Sequence, residues 1–192
     1  FSHYQIAKLA IKWGADVIQL RDKSLSTSEL IQTAIKIAAL CRKHKVTFLI
    51  NDRVDVALVS NADGVHLGKE DISIKEARKL LGRNKIIGGT AHSLAEAKKC
   101  EKDGADYIGY GHIYPTKTKY KPEKPKGTEQ LKLIVSKTCI PVIAIGGISP
   151  ANIEDVMKAG AHGAAVVGSV LKSSDPFNTL SLLRKKIYDR KK

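Results

Sequence analysis

The chain has 192 residues, 43% of them hydrophobic and 27% charged, and a formal net charge of +14. This balance and length describe one soluble globular domain with a sizeable core, and no apolar run approaches the roughly 20 residues that a bilayer-crossing helix needs. The opening Phe1-Ser2-His3-Tyr4 has no cationic segment ahead of an apolar one, so it does not read as a signal peptide.

A basic chain can mark a nucleic-acid binder. Here the lysines are spread over several helical segments (Lys36, Lys43, Lys75, Lys79, Lys98, Lys99, Lys102) and the tail 184–192. No zinc-finger spacing, aromatic-plus-basic sheet signature or helix-turn-helix accompanies them. The expected partners are therefore small acidic molecules gathered by a positive field, with no nucleic acid and no membrane. Cys41, Cys100 and Cys139 are odd in number and far apart, which suits reduced thiols in a cytoplasmic protein and no metal motif.

Short apolar runs alternate with amphipathic stretches from end to end. Helices are predicted over 4–13, 26–44, 53–60, 73–81, 93–103, 128–137, 150–159 and 176–189. Strands rich in Val, Ile or aromatic residues are predicted over 16–20, 47–50, 64–67, 86–89, 107–113, 141–145 and 164–167. Ser26 with Glu29, and Ser93 with Glu96, have capping-box spacing. Strict alternation implies a parallel sheet with right-handed crossovers.

Several of the helices end in similar small turns: Gly14-Ala15-Asp16, Asn61-Ala62-Asp63-Gly64, Gly104-Ala105-Asp106 and Gly160-Ala161-His162-Gly163. This repeat favours a single (β/α)8 TIM barrel over residues 1–192 rather than an open doubly wound sheet. Seven strands are read where such a barrel has eight, so its first strand is expected to lie ahead of Phe1.

A βα barrel works at the carboxyl ends of its strands, and those ends hold most of the polar motifs. They are Gln19-Leu20-Arg21-Asp22-Lys23, Asn51-Asp52-Arg53, His66-Leu67-Gly68-Lys69-Glu70-Asp71, Thr90-Ala91-His92, Gly146-Gly147-Ile148 and Gly168-Ser169. The most informative is Gly109-Tyr110-Gly111-His112-Ile113-Tyr114-Pro115-Thr116-Lys117-Thr118-Lys119-Tyr120. There an apolar run breaks into two hydroxyls and two ammonium groups, backed by a Lys/Pro-rich flap over 120–127. That chemistry suits a phosphate.

Asp52 and Asp71 can share one hard cation, since Mg²⁺ is usually held by one or two carboxylates plus water and phosphate oxygens. The competing role for each is capping a helix N-terminus. Arg21 and Lys23 offer a fork and a point charge suited to diphosphate, against an ordinary ion pair with Asp22. Gln19, the polar residue of an otherwise aliphatic strand, reads as a buried amide awaiting a heterocyclic ligand edge. His66, His92 and His112 fit no short metal motif and read as hydrogen-bonded structure before acid–base groups. Cys100 has no His at short range for nucleophilic catalysis.

Together, Gln-Leu-Arg-Asp-Lys, Ile-Asn-Asp-Arg-Val-Asp, Gly-Val-His-Leu-Gly-Lys-Glu-Asp, Gly-His-Ile-Tyr-Pro-Thr-Lys-Thr-Lys and Ala-Ile-Gly-Gly-Ile resemble, in order, the motifs of thiamine-phosphate synthases. The resemblance runs from about Gly14 to Ser169. It implies a transferase joining a hydroxymethylpyrimidine diphosphate to a thiazole phosphate, with Mg²⁺, in thiamine biosynthesis.

Carried over, Gln19, Leu20, Arg21, Asp22, Lys23, Asn51, Thr90 and Lys119 bind the pyrimidine diphosphate. Thr116, Lys117 and Thr118 face the thiazole phosphate, whose phosphate rests on backbone at Gly147, Val167 and Gly168. Asp52 and Asp71 bind Mg²⁺, and Arg21, Lys23 and Lys119 are the catalytic cations. The chain departs from the family pattern at Thr90, where Ser is common, and at Gly168-Ser169, where Ser-Ala is common. The sister thiazole tautomerases tend to lose the metal-site acids and the Pro-Thr-x-Thr-Lys run, both intact here. A tautomerase using His112, and a non-catalytic phosphate- or nucleic-acid-binding barrel, are the alternatives. Oligomeric state has no signature in the chain, and a homo-oligomer is compatible with it.

Overall fold

The structure is a computed structural model that describes residues 1–116, 118 and 123–189. Lys117 and Lys119, like part of the flap, lie outside the described residues. Helices and strands alternate as α1 (His3–Lys12), β1 (Val17–Leu20), α2 (Thr27–His44), β2 (Thr47–Asn51), α3 (Val54–Ser60), β3 (Gly64–Leu67), α4 (Ile74–Leu81) and β4 (Ile86–Ala91). There follow α5 (Leu94–Lys102), β5 (Tyr107–Gly111), α6 (Gly127–Lys137), β6 (Val142–Ile145), α7 (Ile153–Lys158), β7 (Gly163–Ala165), α8 (Gly168–Leu171) and α9 (Pro176–Tyr188). The strands stand in chain order, and every pair whose register is described is parallel. The class is α/β with seven parallel strands among the described residues, and no strand precedes β1 there. The chain divides into two compact units, Phe1–Gly88 and Gly89–Lys192.

In the first unit, β1, β2 and β3 form a ladder in which Gln19 faces Leu49 and Leu49 faces Gly64, while Asn51 faces His66. Helix α2 buries Leu30, Ala34, Ile37, Ala38 and Cys41, a stripe at helical spacing, and packs on β2. Phe48, Ile50, Val65 and Leu67, alternate residues of β2 and β3, are almost fully buried. In the second unit, β5, β6 and β7 pair with Tyr110 opposite Ala144 and Ala144 opposite Ala164. Tyr110, Ile108, Val142 and Ala144 form the buried side of that ladder, with Leu131 and Ile134 of α6 and Ile153 and Val156 of α7 also in the core.

The repeated small turn has one physical cause. After α1 the Ala15 N–H reaches back to the Ala10 carbonyl and Gly14 N–H to Ile11. Ala62 reaches Ala57 and Ala105 reaches Cys100 in the same way. These bonds satisfy orphan carbonyls at the helix ends through a left-handed residue, Gly14, Asn61 or Gly104, which redirects the chain into the next strand.

Element ends shift where a local signal is overridden. Strand β5 stops at Gly111, although the Ile113 and Tyr114 N–H groups still bond the Ile145 and Gly146 carbonyls. Strand β7 spans only three residues, because Val167 already caps the short α8. Glu96 does not close a capping box on Ser93: its carboxylate accepts instead from the His92 N–H at 2.7 Å.

Candidate active site

Within the first unit the carboxyl ends of β1, β2 and β3 bring charged groups together. Beyond β2 the chain makes a three-residue turn centred on Asp52, with φ +67° and the Arg53 N–H bonded to the Asn51 carbonyl at 2.8 Å. Asp52 itself donates its N–H to the His66 carbonyl at 2.9 Å. Such strained backbone often marks a working position. Beyond β3, Asp71 is held by the Gly68 N–H, 2.6 Å from Oδ2.

Burial, together with the neighbouring Asp71, pushes the Asp52 carboxyl above its ordinary range. Lys23, with Nζ 3.6 Å from Asp52 Oδ2, and Arg21 act in the opposite sense. Neither acid caps a helix: Arg53 precedes α3 and Ser73 caps α4. Two neighbouring carboxyl groups form a donor set that fits a hard dication, which would relieve their repulsion. Among the described residues no group of three or more His, Cys, Asp and Glu side chains is gathered to hold a metal, so the pair would depend on water and ligand oxygens for the remaining positions.

Gln19 corrects the sequence expectation. It is exposed, not buried, because it shares a face with Val17, itself 50% exposed, on a strand flanked only by β2 among the described residues. Leu20 is buried and can offer a ligand only its main chain. Arg21 and Lys23 are exposed. Asp22 pairs with neither of them: it accepts from Ser24 N–H at 2.7 Å, Ser24 O–H at 2.6 Å, Leu25 N–H at 3.2 Å and His3 Nε2 at 2.6 Å. The Ser24 bonds above all hold its carboxyl far below the ordinary range.

His66 is buried, and desolvation pushes it down to about 4. It is neutral at pH 7, which removes it from cationic roles. The sign of its linkage follows. Below pH 6.5 an unfolded His66 takes up a proton that the folded one refuses until about 4, so folded stability declines across that window by roughly 3 kcal/mol. Urea melts between pH 4 and 7.5 should show this decline, and His66→Gln should remove that component. Equal slopes in the two proteins would contradict it.

In the second unit, Thr90 lies half-buried on β4, and its carbonyl accepts from the Cys100 thiol at 3.7 Å. Burial raises that thiol, which makes it inert. His92 holds the Gly111 carbonyl through Nδ1 at 2.5 Å. His112 is buried, and its carbonyl accepts from Lys126 at 2.9 Å. The His92 ring is thus tied to the frame, and His66 and His112 are buried.

Gly146 and Gly147 allow two backbones to meet. A Cβ on Gly146 would lie 2.3 Å from the His112 Cβ, and one on Gly147 would lie 2.5 Å from the Pro115 carbonyl oxygen. Thr116 Oγ1 accepts from the Thr118 N–H at 3.3 Å. Thr118 Oγ1 sits 2.7 Å from where a Cβ of Gly168 would be, so the missing side chain there makes room for a hydroxyl. Val167 is 53% exposed beside it. The next residue, Ser169, has a buried hydroxyl with no hydrogen-bond partner among the described residues. The helix α8 was invisible in the sequence.

Parallel strands alternating with helices define an α/β protein, with a carboxylate pair and exposed cations at strand ends of the first unit and glycine-lined hydroxyls in the second. The comparisons make this specific. A family profile described as thiamine monophosphate synthase matches residues 2–170. The thiamine-phosphate synthase of Chlorobium phaeobacteroides is 47% identical over 91% of this chain and 85% of its own. That of Chloroflexus aurantiacus is 46% identical over 91% and 80%. The solved thiamine phosphate pyrophosphorylase of Pyrococcus furiosus superposes with a TM-score of 0.90 at 38% identity, covering 98% of this chain and 90% of that one. The chain belongs to the thiamine monophosphate synthase family, whose named members are transferases.

Proposed function

We propose that the chain couples a 4-amino-2-methyl-5-pyrimidinylmethyl diphosphate to a thiazole ethyl phosphate, giving thiamine phosphate and pyrophosphate. The observation that carries the reading is the neighbouring Asp52 and Asp71 carboxyls at adjacent strand ends, with the Lys23 Nζ 3.6 Å from Asp52. In this reading Gln19, the Leu20 main chain, Asn51 and Thr90 hold the pyrimidine. Arg21, Lys23 and Lys119 hold the diphosphate. Thr116, Lys117 and Thr118, with the backbone at Gly147, Val167 and Gly168, hold the thiazole phosphate. Asp52 and Asp71 would hold Mg²⁺, which when bound supplies positive charge to the diphosphate.

The C–O bond between the methylene and the diphosphate breaks heterolytically, and its electron pair leaves on pyrophosphate. Arg21, Lys23 and Lys119 oppose the charge that gathers there. The cation left on the methylene is stabilised by the electron-rich aminopyrimidine. The thiazole nitrogen lone pair then forms the new C–N bond. That nitrogen carries no proton, so no general base is needed, and a buried, neutral His66 and a structural His92 sit well with this. Orientation and electrostatics supply the catalysis.

The finer architecture in this reading is a single βα-barrel domain over residues 1–192. No helix among the described residues is long and apolar enough to cross a membrane. Cys41 and Cys100, free and buried, and the exposed Cys139 suit a reducing, cytoplasmic setting. Small molecules are the partners, with no nucleic acid.

The test is product formation from both substrates with and without Mg²⁺. Thiamine phosphate should form only when both substrates and the cation are present. Metal-independent isomerisation of a thiazole carboxylate, without coupling, would replace this reading by a tautomerase.

A further inference from the structure

The cations Arg21 and Lys23 are separated by a carboxylate, Asp22. An unrestrained Asp22 would pair with one of its neighbours and add negative charge where a diphosphate must arrive. In the structure its oxygens are spoken for: Oδ1 accepts from Ser24 N–H, Ser24 O–H and Leu25 N–H, and Oδ2 accepts from His3 Nε2. A carboxylate has about four acceptor positions, and four donors already point at this one. Lys23, released from Asp22, reaches Asp52 instead.

The fourth donor comes from 19 residues away. His3 lies in the first turn of α1, whose start is fixed by a reciprocal capping box between Ser2 and Gln5. The imidazole is therefore presented from an ordered helix end, and it ties the loop after β1 to that helix. The Ser24 and Leu25 contacts shape the loop locally, whereas the His3 contact fixes its direction.

We propose that His3 and Asp22 form a clasp that pre-orients Arg21 and Lys23 for the diphosphate, so that His3 and Asp22 are positioning residues that do not touch the substrate. The inference rests on the reading of residues 19–23 given above. It also revises the carried-over role of Asp22, from a group on the substrate to a group on the loop. Because the clasp orders a binding segment and takes no part in bond breaking, its loss raises KM for the pyrimidine diphosphate and leaves kcat and the KM for the thiazole phosphate in place. A hydrogen bond to a charged group, partly exposed, corresponds to about a tenfold change in that KM.

The experiment is steady-state kinetics on the full chain and on His3→Ala, Asp22→Asn and Asp22→Ala, alongside calorimetric titration with inorganic pyrophosphate. The expected order of diphosphate KM is wild type, then Asp22→Asn, which keeps an acceptor for Ser24 and Leu25, then Asp22→Ala. His3→Ala should raise the diphosphate KM and weaken pyrophosphate binding by a similar factor. A merely structural role would lower kcat through a smaller active fraction and leave KM unmoved, and that result overturns the clasp. So does a His3→Ala protein that matches wild type in KM and pyrophosphate affinity. If Asp22→Ala does not fold, His3→Ala and Asp22→Asn decide the question. A folded wild type that neither couples the substrates nor binds pyrophosphate overturns the functional reading, and the clasp with it.

Discussion

Asp52→Ala and Asp71→Ala should each lower kcat for coupling by about a hundred- to thousandfold, the scale on which electrostatic support for a leaving group is lost, while both proteins still fold. The stability readout has the opposite sign, and this makes the assignment testable without turnover. Asp52 is raised above its ordinary range in the fold by burial and by Asp71. An acid whose folded value is raised costs stability above that value, and the cost vanishes below the unfolded value. At neutral pH without cation, Asp52→Asn should therefore melt no lower than wild type. Mg²⁺ should raise the melting temperature of wild type by mass action and leave the variants unmoved. Wild-type rates in both alanine variants, or a Mg²⁺ shift that persists in them, would dispose of the metal assignment.

The parts of this site that were legible in the sequence share a feature: their signal is local. The strand positions, the helix cap at Ser26, and the small turns at Gly14 and Gly104 depend on neighbours within a few residues. The strand-end acids at 52 and 71 were legible for the same reason, since each follows a strand directly or within one short turn. Part of what escaped depends on distant partners. Asp22 next to Lys23 reads as an ion pair, and only the fold brings His3 to it and Asp52 to Lys23. Gln19 reads as buried because its neighbours are aliphatic, but burial is decided by what flanks β1. Glu96 has the spacing of a capping box, yet its carboxylate accepts from the His92 N–H. The short α8 carries no capping signal at all.

Gly64→Ala is the second large effect, and it falls on folding rather than chemistry. A Cβ at 64 would lie 2.0 Å from the Ile86 carbonyl oxygen, 2.7 Å from its carbon and 2.8 Å from the Ile86 Cβ. The first two are backbone atoms at the start of β4, where the Ile86 N–H already bonds the Asp63 carbonyl at 2.9 Å. They cannot swing aside as a side chain would, so β3 and β4 must separate. Overpacking of this kind costs about 3 kcal/mol or more, a large share of the 5–15 kcal/mol that holds a typical domain together. In a chain of this length that corresponds to a melting-temperature loss of about 6–12 °C, or to failure to fold.

Gly163 is the control, because it closes a similar small turn into a strand: Asn61-Ala62-Asp63-Gly64 in one unit, Gly160-Ala161-His162-Gly163 in the other. There a Cβ would meet only the Ile143 Cδ1, at 3.5 Å, an ordinary contact. Gly163→Ala should stay within about 1 kcal/mol of wild type and could gain from a less entropic unfolded chain. Thermal melts of the two variants decide the matter. Equal tolerance would mean that β3 and β4 do not approach as closely as the structure has them. Unequal tolerance would show that a repeated turn motif carries the chain into each strand, while the neighbouring strand alone determines whether the residue that enters it must be glycine.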